Sequence, residues 1–323
     1  MTRVAAVDCG TNSIRLLISD IHEDGKIKDI VRTMEIVRLG QGVDAHGEFA
    51  PEALERTRAA LAGYVQQMKF EQVTRVRMVA TSATRDASNQ REFFDMTAEL
   101  LGQIQPGARA EVISGEEEAM LSFSGAVSDL PADRAPFCVI DLGGGSTEFI
   151  VGEADGSILG MHSAQMGCVR ITERMMPSDP PSETEIEIAE DFVEERMQEV
   201  ERIVPVDKAV TFVGCAGTFT TLSAIAQGLE RYDADSIHGS ELRFDGLRVL
   251  TRSLMLEPAE MRALNPVIHP GRADVIGGGA VAVEGIINMI ERNSEARSFF
   301  ISEKDILDGI IAGLAEDVQA EAE

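Results

Sequence analysis

Two short segments hold most of the residues whose types and spacing could do chemistry. Asp8-Cys9-Gly10-Thr11-Asn12-Ser13 and Asp141-Leu142-Gly143-Gly144-Gly145-Ser146-Thr147-Glu148 each follow an apolar run and turn through glycine and hydroxyl residues. A strand that ends in Asp and turns this way surrounds a concavity with backbone N–H groups. Glycine lets the backbone approach an anion, and hydroxyls add donors. Gly10, Thr11, Asn12 and Ser13 are therefore candidate phosphate ligands, as are Gly143, Gly144, Gly145, Ser146 and Thr147. Gly214-Cys215-Ala216-Gly217-Thr218 is a third such turn, ahead of a helix whose N-terminus is a further anion site, with Gly217 and Thr218 as the candidates. Carboxylates beside bound phosphate are costly unless they hold a cation or a proton. Asp8, Asp141 and Glu148 are thus candidate ligands of Mg2+ or another divalent cation such as Mn2+. Either aspartate alone could merely cap its own turn; as a repeated pair they favour metal or water.

A base and a clamp are also present. Glu116, Glu117 and Glu118 open a helix after Ser114. Compensation of the helix dipole accounts for at least one of them. Successive helical side chains point about 100° apart, so at most two can face a cleft, where one could take a proton from an attacking water. Thr81-Ser82-Ala83-Thr84-Arg85 follows a strand end, and Arg85 could grip phosphate bidentately. Arg38 and Arg170 are weaker candidates of that kind. The five histidines show no ligand spacing and read as structural or exposed. Cys9, Cys138, Cys168 and Cys215 form no CxxC pair and read as reduced, buried thiols.

The elements that must position these groups repeat. An apolar strand at 3–9, a second at 14–21, an Asp24-Gly25 turn and a third at 31–39 form a meander. The pattern returns at 137–142, 149–152, Asp155-Gly156 and 157–165, with Asp141 lying 133 positions after Asp8. This duplication, with helices after each meander, predicts α/β layering in two related domains. Helices are expected at 51–68, 89–101, 116–127, 219–228, 244–253, 258–264, 273–289 and 304–315, and strands at 76–81, 110–113, 209–214 and 298–301. Pro131–Pro136 is the expected boundary. The segment 183–201 reads as an acidic, solvated helix with one apolar face made of Ile186, Ile188, Phe192, Val193, Met197 and Val200.

Composition sets limits. The chain has 323 residues, enough for two domains, with 44% hydrophobic and 26% charged residues. The net charge of −26 argues against nucleic-acid binding, which leaves a basic stripe. No apolar run approaches the ~20 residues of a membrane helix, and the N-terminus does not read as a signal peptide. A soluble, cytoplasmic protein without membrane partners is the expectation.

Taken in order, Asp8–Ser13, Thr81–Arg85, Ser114-Gly-Glu-Glu-Glu-Ala119, Asp141–Glu148, Gly214–Thr218 and Arg272-Ala-Asp-Val-Ile276 resemble the motifs of the exopolyphosphatase and guanosine pentaphosphate phosphohydrolase family. That family lies in the sugar-kinase, actin and heat-shock chaperone superfamily. The resemblance implies an α/β fold of two duplicated actin-like, ribonuclease H-like domains with an interdomain cleft. The first would span 1–128, with the last helix, about 303–323, returning to it, and the second 129–302. It implies Mg2+-assisted hydrolysis of the terminal phosphoanhydride of inorganic polyphosphate, with release of orthophosphate. The catalytic glutamate maps onto Glu118, with Glu117 as its alternative; Asp141 and Glu148 map onto water- or metal-positioning residues, Glu148 counting among the catalytic ones. Gly143–Thr147 map onto the phosphate loop and Arg85 onto a phosphate contact. Longer members add a helical region with His/Asp motifs after this core. The sequence ends at Glu323 without one, so short chains and guanosine pentaphosphate both stand as substrates to test. A homodimer is compatible with the resemblance. A kinase using ATP on this fold, or a non-catalytic phosphate sensor, are the other classes the residues allow.

Overall fold

The structure is a computed structural model that describes residues 1–322. The chain folds as two units, one of Met1–Leu121 with the segment from Ile306 onward, the other of Ser122–Asp305.

The first unit is built on a five-stranded sheet. Its strands are β1 (Thr2–Cys9), β2 (Ser13–Ile21), β3 (Ile27–Ile36), β4 (Arg75–Ala80) and β5 (Ala110–Val112), in the order β3-β2-β1-β4-β5. β1, β2 and β3 are antiparallel neighbours, whereas β4 and β5 run parallel to β1. β1 reads as one apolar run because both of its faces are buried. Ala5, Val7 and Cys9 join a core with Leu61, Val65, Met68 and Phe93, from the helices Pro51–Phe70 and Gln90–Leu101. Val4 and Ala6, alternating with them, join a second core with Ile306, Ile310 and Leu314 of the helix Ile306–Ala322. That helix sits close, since a Cβ at Gly309 would fall 2.1 Å from the Leu121 carbonyl oxygen.

The second unit repeats the plan. Its strands are β6 (Phe137–Leu142), β7 (Thr147–Gly152), β8 (Ile158–Ala164), β9 (Thr211–Cys215), β10 (Glu241–Arg243) and β11 (Ser298–Ile301). The order β8-β7-β6-β9-β11-β10 matches the first sheet, with β10 added as an antiparallel edge. The repetition reaches single hydrogen bonds. Gly25 (φ 81) donates to His22 O at 3.0 Å in the first hairpin, and Gly156 (φ 86) to Glu153 O at 3.1 Å in its counterpart. Both glycines take the left-handed backbone that this turn needs. Phe219, Phe244 and Phe299 cluster in the core at ring separations of 4.9 Å.

The acidic helix Glu183–Ile203 starts with a capping box between Ser182 and Glu185. Ile186, Val193, Met197 and Val200 are buried as expected, but Ile188 points to solvent. It lies two residues from Ile186, about 200° around the helix, on the face away from the core. The structure also has helices at Ser82–Asp86 and Cys168–Met175 that the sequence pattern does not announce.

Candidate active site

In the first unit the carboxyl ends of the parallel strands β1, β4 and β5 lie together, the usual ligand edge of an open α/β sheet. After β1, Gly10 N–H donates to Ser13 O at 3.0 Å, closing a tight turn. The loop carbonyls point outward. Thr11 O accepts from Gly40 N–H at 2.8 Å, and Asn12 O from the N–H groups of Val37 and Arg38 at 3.1 and 2.8 Å. Arg38 holds a left-handed φ of 51° to make that bond. Asp8, near the end of β1, is 6% exposed. Its Oδ2 accepts from Arg15 Nε at 3.0 Å and Nη2 at 2.8 Å. The candidate metal ligand Asp8 is thus already held by a cation of the fold. Arg15 escaped the sequence reading, although the tight turn dictates that residue 8 faces residue 15 across the hairpin.

The segment after β4 forms the helix Ser82–Asp86, which carries Arg85 towards the end of β5. Arg85 Nη1 donates to Ile113 O at 3.0 Å and to Glu118 Oε2 at 2.8 Å. Its Nη2 is buried with no hydrogen-bond partner among the described residues. After β5, Ser114 Oγ caps the helix Gly115–Val127 by accepting from Glu117 N–H at 3.1 Å. The glutamates then diverge. Glu117 turns outward to Arg77 (2.7 Å), which also reaches Glu111. Glu118 is 9% exposed and lies against Arg85.

In the second unit β6 and β9 are parallel and end side by side. Gly143 N–H donates to Ser146 O at 3.1 Å, the same turn as Gly10–Ser13. Asp141 and Glu148 face each other directly across β6 and β7, at the positions that Asp8 and Arg15 hold in the first unit. An ion pair in one unit therefore becomes two carboxylates in the other. Asp141 Oδ2 accepts from Ser122 Oγ at 2.6 Å and Glu148 Oε1 from Ser163 Oγ at 2.7 Å. Like charges directly opposite are unfavourable unless a proton or cation joins them. Thr147 donates its hydroxyl proton to Met166 O at 2.7 Å, so this side chain braces the loop rather than donating to an anion.

At the end of β9 the helix Ala216–Ala226 begins with Ala216 at φ 67°. Gly217 lies against Arg272, whose Nη1 would be 1.6 Å from a Cβ placed there. The Thr218 hydroxyl sits beside the Cys168 thiol, which burial pushes above its ordinary value. Arg272, which opens the Arg272–Ile276 motif without a role legible in the sequence, belongs among the candidates. The cysteines are all buried and form no disulfide, and burial pushes the Cys9, Cys138 and Cys168 thiols up, Cys138 to about 12, which disfavours the reactive thiolate at these three.

No group of three or more His, Cys, Asp or Glu that could hold a metal occurs among the described residues. The cross-strand Asp141–Glu148 pair offers hard oxygen donors, which suits a cation that keeps most of its ligands as water and phosphate oxygens.

The sequence profile of the Ppx/GppA phosphatase family matches residues 17–314. Exopolyphosphatase 2 of Mycobacterium tuberculosis is 52% identical over 319 residues, covering 98% of this chain and 99% of that one. Among solved structures, an exopolyphosphatase-like protein superposes with a TM-score of 0.91 at 39% identity, covering 98% of this chain and 100% of the other. The Ppx/GppA family member of Aquifex aeolicus superposes with a TM-score of 0.78 at 29% identity, covering 100% and 99%. No helix of the described residues is long and apolar enough to cross a membrane.

Proposed function

The chain belongs to the Ppx/GppA phosphatase family, whose two-unit actin-like α/β fold it shares, and we propose that it is an exopolyphosphatase. The observation that carries this reading is the buried Glu118–Arg85 pair at the carboxyl edge of the first sheet. The 52% identity to a protein named for that activity supports it. In the proposed reaction, water attacks the terminal phosphorus of inorganic polyphosphate. The bond to the bridging oxygen breaks, orthophosphate leaves, and the chain is one unit shorter. Glu118 takes the proton of the attacking water. Arg85 holds Glu118 through Nη1, and its unpartnered Nη2 is the donor proposed for a phosphate oxygen. Within each unit, the proposed anion donors are the N–H groups of Thr11, Asn12 and Ser13, those of Gly144, Gly145 and Ser146, and those of the helix start at Gly217 and Thr218, because the Gly10 and Gly143 N–H groups close their own turns. Mg2+ would be held by Asp141 and Glu148, where it would offset substrate charge as a Lewis acid. Asp8 then serves mainly as the partner of Arg15.

The test is phosphate release by purified protein with Mg2+ or Mn2+ on polyphosphates of several lengths, guanosine pentaphosphate and ATP. Release from polyphosphate is expected, falling ~100-fold or more in Glu118→Gln. Release no greater than that of this variant from every substrate would sink the hydrolase reading. Preference for the pentaphosphate would make the enzyme a 5′-phosphohydrolase of that nucleotide.

A further inference from the structure

Three of the peptide groups that form the Gly143–Ser146 turn are gripped from behind. Gly143 O accepts from Cys168 N–H at 3.0 Å, and Gly144 O from the N–H groups of Val169 and Arg170 at 2.9 and 3.1 Å. These donors belong to the first turn of the helix Cys168–Met175, where N–H groups have no partner within the helix. Gly145 O is beyond their reach. It accepts instead from the Arg170 side chain, Nε to O at 2.8 Å. Each peptide is planar and trans, so fixing these carbonyls on one side aims the N–H groups of Gly144, Gly145 and Ser146 to the opposite side.

We propose that Arg170 is a positioning residue that fixes the Gly145–Ser146 peptide and so aims the Ser146 N–H at substrate phosphate; the proposal rests on the phosphate-binding reading of this loop. The equivalent turn of the first unit shows why a side chain is needed. There Thr11 O and Asn12 O accept from the backbone N–H groups of Gly40, Val37 and Arg38, and the turn contains one glycine. Gly143, Gly144 and Gly145 are consecutive and have the widest conformational freedom of any residue type. A preorganised donor array must not reorganise during reaction, so the third peptide needs its own restraint. Arg170 can supply it because it is 9% exposed, and its backbone N–H anchors the peptide before. Gly167 keeps the approach open, since a Cβ there would lie 2.4 Å from the Gly144 carbonyl atoms. Arg170 thereby leaves the set of direct phosphate clamps and acts through the loop.

Arg170→Met and Arg170→Lys test this by kinetics on polyphosphate and by backbone amide relaxation. Loss of one aimed donor is expected to lower kcat about 100-fold in Arg170→Met, with KM within about threefold. Order parameters of Gly145 and Ser146 are expected to fall from about 0.85 to below about 0.6 without substrate. The inorganic-phosphate-induced shift of the Ser146 amide should shrink while that of Gly144 persists. A raised KM with kcat kept, restored by Arg170→Lys, would overturn the proposal in favour of a direct phosphate contact. Unchanged order parameters would overturn it as well. If Arg170→Met does not fold, Arg170→Lys, which keeps the buried charge, is read by the same relaxation measurement. A wild-type protein that releases no phosphate would refute the hydrolase reading alone, because the loop's order is read without turnover.

Discussion

Glu117 and Glu118 are neighbours of one residue type on one helical turn, and their surroundings give them different partners. Glu117 is paired with Arg77 at side-chain exposures of 41% and 26%. Such a pair contributes about 0–1 kcal/mol. Glu118 is paired with Arg85 at 11% and 21%, where water screens little. Glu117→Gln is therefore expected to leave kcat within about twofold and to cost less than about 1 kcal/mol in urea unfolding. A loss of activity matching that of Glu118→Gln would move the base to Glu117. The sequence narrows the proposed base to this turn but cannot choose within it. Facing direction depends on Arg77 and Arg85, which lie on other elements some 30–40 residues away. Arg15 shows the opposite case, since hairpin register alone places it on Asp8. The like-charged pairing of Asp141 with Glu148 is legible by the same register.

Elements that follow from local pattern are where the sequence places them; those that do not are held by distant groups. β6 and β11 match their expected limits, and the three-strand meanders follow from apolar runs and Asp-Gly turns. β3 starts four residues earlier than expected because the Gly25 turn is tight. The helix Cys168–Met175 has no capping side chain and rests on loop carbonyls instead, so nothing near it in sequence announces its start. Glycine environments separate elements that position chemistry from those that hold the fold. Gly217 and Gly309 both lie in helices, where alanine gains about 1 kcal/mol of intrinsic preference. At Gly217 the three nearest atoms that the new methyl would meet all belong to the Arg272 guanidinium, the far end of a long side chain. At Gly309 it would meet the Leu121 carbonyl, which is backbone and cannot swing aside. Gly217→Ala is expected to keep stability within about 1 kcal/mol while lowering kcat/KM about tenfold or more by displacing Arg272. Gly309→Ala is expected to lose roughly 1–2 kcal/mol net in urea unfolding. Equal stability losses in both would show that Arg272 holds the fold rather than serving the site.

At the scale of the whole molecule, a chain of net charge −26 is proposed to act on a polyanion. The duplication locates the conflict. The first unit keeps an Asp8–Arg15 pair, whereas the second sets Asp141 beside Glu148, and the helix Glu183–Ile203 adds a dense acidic surface. Arg85, Arg170 and Arg272 supply local positive charge, but each acts over a few ångströms. The summed negative field extends over a Debye length, about 30 Å at 0.01 M salt and about 8 Å at 0.15 M. Encounter should therefore be repelled at low ionic strength, while the chemical step, inside that radius, is indifferent. With free Mg2+ held constant, kcat/KM for polyphosphate is expected to rise several-fold between about 0.01 and 0.15 M salt, with kcat unchanged. Proteins that bind polyanions through basic surfaces show the reverse slope. A falling kcat/KM would mean that the local arginines govern approach despite the net charge. A flat response would mean that substrate arrives already neutralised by bound cation, which would leave Asp141 and Glu148 to receive a metal–phosphate complex rather than to recruit the ion themselves.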